Sequence, residues 1–273
     1  MAEPAGAPAA GPVLLVERQG AACVLRLNRP EAGNAISREV AEALGAQVAA
    51  CASDASLRAL VITGSGPRYF CTGGDVKAYA ALESPEALDR VFNIMREVCD
   101  AIEALPVPVI AALNGYTVGG GAELSLACDL RIAEASAQIG FPQSRLGIAP
   151  GWDGTERLLR TVGRASAARL LFSGKRVSAA EALALRLVDE VVPDGGALAA
   201  ALAFAATCTE VAPLSLGAIK QALREAQLAG TAEAQQAARL RARRDFGRLW
   251  FTEDHKEAER AFAEKRAPRF TGR

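Results

Sequence analysis

The sequence predicts an α/β fold, and three features carry that prediction. From residue 13 to about 195, short apolar runs of strand length alternate with longer segments whose apolar residues recur at helical spacing, the pattern of a mostly parallel sheet covered by helices. Two of those runs, 59–64 and 108–113, lead through glycine-rich turns into helical patterns. From about residue 197 the chain turns to alanine, leucine and charged residues in helical phase throughout. This divides it into a tail over 1–12, a core domain over 13–195 and a helical region over 196–273.

The elements follow in order. Val13 to Arg18 and Ala22 to Leu27 flank Gln19-Gly20, a hairpin signal. A helix starts near Ser37, which can cap it, with Val40, Ala41, Leu44 and Val48 on one face. Strand 57–63 leads to a glycine loop, and Ser84-Pro-Glu opens a helix of about 20 residues, with serine as cap and proline in the first turn. Leu88, Val91, Phe92 and Met95 form its buried stripe. Strand 108–113 then runs to a helix at Gly119. The last region reads as helices over 197–209, 213–229, 231–248 and 253–266, amphipathic enough to pack within the chain or against another copy.

Composition removes several functions. The 273 residues, 51% of them hydrophobic, suffice for a full core, and 31 Lys and Arg balance 31 Asp and Glu, so there is no electrostatic footprint for nucleic acid or an anionic membrane. Six scattered cysteines without C-x-x-C spacing read as reduced, buried thiols and a cytoplasmic location. Met1 to Pro12 lacks the basic and long apolar regions of a secretory signal and reads as a disordered tail, and no stretch has the length of a membrane span. The single histidine, His255, falls on a charged face and reads as solvated, so the chain offers no plausible Ser-His-Asp triad, Cys-His dyad or multi-histidine metal site.

The chemistry gathers at Asn114-Gly-Tyr-Thr-Val-Gly-Gly-Gly-Ala-Glu123, where three glycines precede a helix that carries a carboxylate. Glycines let the backbone turn sharply, and the first N–H groups of a helix lack partners within it, so a substrate oxygen can take them. Phe70-Cys-Thr-Gly-Gly-Asp-Val-Lys77 offers a second such turn. Two turns let two peptide donors converge on one oxygen, with Glu123 placed to move a proton. Asp153-Gly-Thr-Glu156 reads as a capping box before a helix, with a catalytic carboxylate at Asp153 as the alternative. A dinucleotide-binding fold fails on spacing, since neither Gly64-Ser-Gly66 nor Gly119-Gly-Gly121 continues into G-x-G-x-x-G.

These turns, together with Leu27-Asn-Arg-Pro-Glu-Ala-Gly-Asn-Ala-Ile36, Val61-Ile-Thr-Gly64, Pro108 to Asp129, Leu146-Gly-Ile-Ala-Pro-Gly-Trp-Asp-Gly-Thr-Glu-Arg-Leu158, Gly174 to Val192 and Ala261-Phe-Ala-Glu-Lys-Arg266, resemble the crotonase family, also called the enoyl-CoA hydratase/isomerase superfamily, from about residue 13 onward. The resemblance implies a ββα superhelix core with a C-terminal helical trimerisation region, commonly a dimer of trimers. It implies a lyase acting on acyl-CoA thioesters of the kind met in fatty acid metabolism, with coenzyme A as part of the substrate and no other cofactor or metal. The oxyanion donors map to Gly74 and Gly120, and one catalytic glutamate to Glu123. The second glutamate maps to Gln143, which can orient water but cannot titrate, so double-bond isomerisation, decarboxylation of a malonyl-type thioester and a non-catalytic acyl-CoA-binding subunit stay open beside hydration. Thr72, Gly73, Asp75, Val76 and Trp152 map to the substrate site. Lys77, Tyr79, Phe92 and Met95 lie where relatives shape the acyl site, and Lys265 where relatives reach CoA phosphate, although on its own it reads as a solvated lysine.

Overall fold

The computed structural model describes residues 11–79 and 82–273; the tail expected over 1–12 lies outside them up to residue 10. The hairpin comes first, with β1 (Leu14–Gln19) antiparallel to β2 (Ala22–Leu27) around Gly20 in the left-handed region. Ser37 caps α1 (Arg38–Ala52) by accepting the Val40 N–H. There follow β3 (Ala59–Gly64), β4 (Tyr69–Cys71), α2 (Val76–Tyr79) and α3 (Pro85–Ala104), whose Ser84 cap accepts the Ala87 N–H. Then come β5 (Val109–Leu113), β6 (Tyr116–Val118), α4 (Gly120–Leu126), β7 (Leu130–Glu134), β8 (Gln138–Gly140) and α5 (Gly154–Ser173). The core passage closes with β9 (Arg176–Ser178), α6 (Ala179–Ala184) and β10 (Glu190–Val192), and the chain ends in α7 (Ala197–Thr207), α8 (Pro213–Leu228), α9 (Ala232–Trp250) and α10 (Glu253–Glu264).

Six strands form one sheet in the order β1-β2-β3-β5-β7-β10, parallel except for the opening hairpin. Its inner strands β2, β3, β5 and β7 are buried on both faces, so alternate residues serve two cores. Leu25, Leu60, Ile62, Ala111 and Leu113 face α1 and α3, whereas Val24, Ala59, Val61, Ile110 and Ala112 face α7. Ala197, Ala201 and Ala205 form the contact stripe of α7, and their small side chains let the helix lie close to the sheet. The first helix of the C-terminal region thus covers the core sheet.

A second sheet, β4-β6-β8-β9, was not apparent in the sequence. Three-residue strands are too short to show a period of two, yet β4 and β6 feed directly into the two glycine turns. Asn114 ties the two sheets' loops together: its Nδ2 donates to the carbonyls of Gly64 and Gly66, and its Oδ1 accepts the Gly64 N–H at 3.1 Å. Asn34 does the same from the other side, donating to Ser65 O and Tyr69 O.

Several details depart from the sequence reading. Leu88 is exposed and only Met95 of the expected α3 stripe is fully buried. His255 is only partly solvated: its ring packs on Trp250 with centroids 4.5 Å apart, and its Nε2, buried without a hydrogen-bond partner, lies 3.7 Å from the Glu259 carboxylate. Lys220 is buried, donating to Ile102 O and Val107 O at 3.0 Å and pairing with Asp129 at 2.7 Å, which fastens α8 to the end of α3. All six cysteines are buried and free. Among the described residues no single helix is long and apolar enough to cross a membrane.

Candidate active site

The first glycine turn is held by the segment before α1. Thr72 donates both its N–H and its Oγ1 hydrogen to Gly33 O, at 3.0 and 3.2 Å. The Ile36 N–H donates to Gly73 O at 2.8 Å and the Asp75 N–H to Ile36 O at 2.9 Å, which is a parallel bridge of Ile36 with Gly74. In such a bridge the residue opposite makes neither bond, so the Gly74 N–H points away from Ile36. Asp75 pairs with Arg29 at 2.9 Å. Thr72 and Asp75 therefore spend their side chains on holding the loop, and Val76 stands 71% exposed at the start of α2. The Lys77 side chain lies outside the described residues.

The second turn presses against the first. Gly73 has φ near +100° and lies so close that a Cβ added there would sit 2.8 Å from the Gly120 nitrogen. A Cβ on Gly121 would collide with the Cys71 carbonyl oxygen, so only glycine fits. Gly119 takes φ 58° as its N–H donates to Gly140 O at 3.0 Å. Gly120 then opens α4, and its N–H is one of the donors a helix leaves unpaired. The two turns that the sequence placed 46 residues apart (120 − 74) are in contact.

Glu123 lies one turn into α4 and is 2% exposed. Its carboxylate accepts four N–H donors: Gln143 Nε2 at 2.9 Å and Gly151 N at 3.3 Å on Oε1, Trp152 N at 2.8 Å and Gly154 N at 3.0 Å on Oε2. Burial raises its pKa above the ordinary carboxylate range, and the four donors act against that rise without cancelling it. Gly154 begins α5, so Glu123 also caps that helix. This corrects the expected capping box: Asp153 occupies the cap position in the left-handed region at φ 60°, makes no side-chain cap bond and is exposed. Its side chain therefore does not cap α5, and no described hydrogen bond joins it to Glu123. The capping box that does form is Ser178 with Glu181, before α6.

Gln143 follows Pro142 in a single 3-10 turn after β8 and is 6% exposed. Its Nε2 is engaged by Glu123, while its Oε1 is buried with no hydrogen-bond partner. Trp152 is buried, with its indole against Gly120, and its carbonyl accepts from Arg157 Nη1 at 2.6 Å. Arg157, missed in the sequence as an ordinary helix residue, is buried and also pairs with Asp100 and Glu103 of α3. Lys265 lies exposed at the C-terminal cap of α10 in the left-handed region, and none of its described contacts joins it to the glycine turns. Among the described residues no three His, Cys, Asp or Glu side chains form a metal-ligating group.

The family model described as enoyl-CoA hydratase/isomerase matches residues 17–273. A 2,3-dehydroadipyl-CoA hydratase of Escherichia coli is 38% identical over 260 residues, 95% of this chain and 99% of that protein. A short-chain-enoyl-CoA hydratase of Clostridium acetobutylicum is 34% identical over 93% of this chain and 95% of its own length. The crystal structure of an enoyl-CoA hydratase from Bacillus anthracis superposes with a TM-score of 0.89 at 33% identity, covering 96% of this chain and all of that one. Pseudomonas aeruginosa DspI superposes with the same TM-score and identity over 95% and 97% of the two chains.

Proposed function

Since the chain belongs to the enoyl-CoA hydratase/isomerase family, we propose that this enzyme adds water across the C2–C3 double bond of a 2-enoyl-CoA thioester. The thioester oxygen sits between the N–H groups of Gly74 and Gly120, which stabilise the enolate as charge moves onto it; losing one such donor typically costs about 3–4 kcal/mol of barrier. Water attacks C3, its proton passes to Glu123, and Glu123 returns a proton to C2, so one carboxylate serves as base and then acid. The observation that carries this reading is the Glu123–Gln143 pair with its buried, unpaired Gln143 Oε1. With the amide nitrogen committed to Glu123, the amide oxygen is left as an acceptor, and a water hydrogen satisfies it beside the base. Gly151, at 3.3 Å the longest of the four contacts to Glu123, is the donor that gives way when water approaches Oε1.

Gln143→Glu tests it. The new carboxyl would face Glu123 across the present 2.9 Å contact, so the two share a proton and one pKa rises further. That pair restores a second acid/base, and hydration of crotonyl-CoA is expected to climb well above that of the unaltered enzyme. A folded variant with no gain in hydration would overturn the reading.

Decarboxylation of a malonyl-type thioester is the second reading, favoured by one observation: both Glu123 oxygens already take two donors each, and loss of carbon dioxide needs the oxyanion donors but no base. Incubation with enoyl-, 3-hydroxyacyl- and malonyl-type CoA esters, with products read by mass, separates gain of water from loss of carbon dioxide.

A trimer, or a dimer of trimers, is the assembly proposed. Its support is the exposed apolar surface of α8 to α10, with Ile219, Leu223, Phe246, Trp250, Phe251 and Phe262 open to solvent in a single chain. Light scattering at micromolar concentration is expected to give a multiple of three, and a monomer would overturn it. In that assembly Lys265 meets CoA phosphate, so Lys265→Ala is expected to weaken CoA binding.

A further inference from the structure

The two glycines assigned to the oxyanion site are each covered by an aromatic ring. A Cβ built on Gly74 would lie 2.6 Å from Cε2 of Tyr79, and one on Gly120 would overlap the Trp152 indole. Phe92, on α3, lies between those rings, with centroids 5.5 Å from Tyr79 and 6.5 Å from Trp152, and touches Gly151 so closely that a Cβ there would fall 2.5 Å from its ring. The three rings make one continuous wall over both turns.

The wall is braced from behind. The Tyr79 hydroxyl donates to Ile36 O at 2.8 Å. The Trp152 carbonyl is held by Arg157 and the Gly151 carbonyl by Arg96 Nε at 2.9 Å, while the Trp152 N–H is committed to Glu123. An indole buried to this extent in a close-packed interior has no space to retreat into. An acyl group whose carbonyl lies at Gly74 and Gly120 and whose C3 faces Glu123 therefore meets aromatic faces within a few carbon atoms.

Resting on the proposed thioester site, we infer that the Trp152–Phe92–Tyr79 wall sets acyl selection, admitting a short, flat 2-enoyl group of about four to six carbons and excluding long flexible chains. The conjugated enoyl system is planar and lies against ring faces, which suits their geometry. Trp152 is the specificity-determining residue, because its indole is the nearest neighbour of Gly120 and its backbone N–H also joins the Glu123 network.

Calorimetric binding of saturated butyryl-, hexanoyl- and decanoyl-CoA, none of which can be hydrated, tests this apart from turnover. The unaltered enzyme is expected to bind butyryl-CoA at least about tenfold tighter than decanoyl-CoA. Trp152→Ala is expected to abolish or reverse that preference, and Phe92→Ala, at a half-buried position that tolerates truncation better, to weaken it in the same direction. Equal affinity for butyryl and decanoyl esters in the unaltered enzyme, or an unchanged length preference in folded Phe92→Ala and Trp152→Ala, would overturn the inference and leave the hydratase reading standing. Length-selective binding without hydration of any enoyl ester would overturn the hydratase reading instead.

Discussion

Glu123→Gln is expected to abolish turnover and to loosen the fold around α5. The glutamine cannot carry a proton between water and C2, so the single-turnover rate should fall by about a hundredfold or more, while acyl-CoA affinity stays within a few-fold because Gly74 and Gly120 are untouched. The structural effect arises from the same atoms. Four N–H donors converge on the carboxylate, whereas an amide offers one accepting oxygen and turns an NH2 toward the other two donors. Leaving two buried donors without an acceptor costs about 1–3 kcal/mol each, so denaturant unfolding should show a loss of about 2–6 kcal/mol. A destabilised variant that keeps its activity would make Glu123 a helix cap alone.

The pH dependence follows from the same carboxylate, whose pKa burial raises. As a base Glu123 must be ionised, so kcat/KM falls as pH drops through that raised value, at a higher pH than an ordinary carboxylate would give. Stability runs the other way. A raised pKa in the folded state means that the contribution of Glu123 to stability is fully present below the ordinary carboxylate pKa and is lost as pH rises through the raised one. Glu123→Gln should remove both limbs.

Gly120→Pro is expected to slow the chemical step by about a hundredfold or more relative to Gly120→Ala, with acyl-CoA binding changed far less. Both variants place a Cβ against the Trp152 indole, so the crowding is common to the two. Only proline deletes the N–H, so the ratio of the two rates isolates the donor from the crowding. Proline is compatible with the first position of a helix, which favours a folded variant; circular dichroism beside the kinetics checks this. Equal rates in folded proline and alanine variants would make the turn structural only.

Much of this could be read in advance. The helices opened by Ser37 and Ser84 follow from an oxygen-bearing cap, a proline in the first turn of the second, and apolar spacing, all of which are local signals. The four C-terminal helices were equally legible, each within a few residues of its observed ends. Gly74, Gly120, Glu123 and Gln143 became candidates through the resemblance, and the glycines beside them answer to steric limits: the Gly121 position abuts Cys71 O and the Gly73 position abuts Gly120 N.

What lies outside local pattern is partnership between distant residues. Asp153-Gly-Thr-Glu156 looks like a capping box, yet α5 is capped by Glu123, 31 positions before Gly154, because the backbone there takes φ 60° and turns the Asp153 side chain outward. The three-residue strands of the second sheet carry no period of their own and exist only by pairing with one another. The orientation of Gln143, the burial of Lys220 against α3 and the stacking of Tyr79, Phe92 and Trp152 each depend on which elements the fold brings side by side. Local sequence thus determined the helices, the main strands and the inventory of chemical groups, because propensity, capping and glycine geometry act over a few residues. Only the tertiary structure decided which of those groups face one another, because hydrogen bonds and packing across 20 to 118 positions of chain exist nowhere but in the assembled fold.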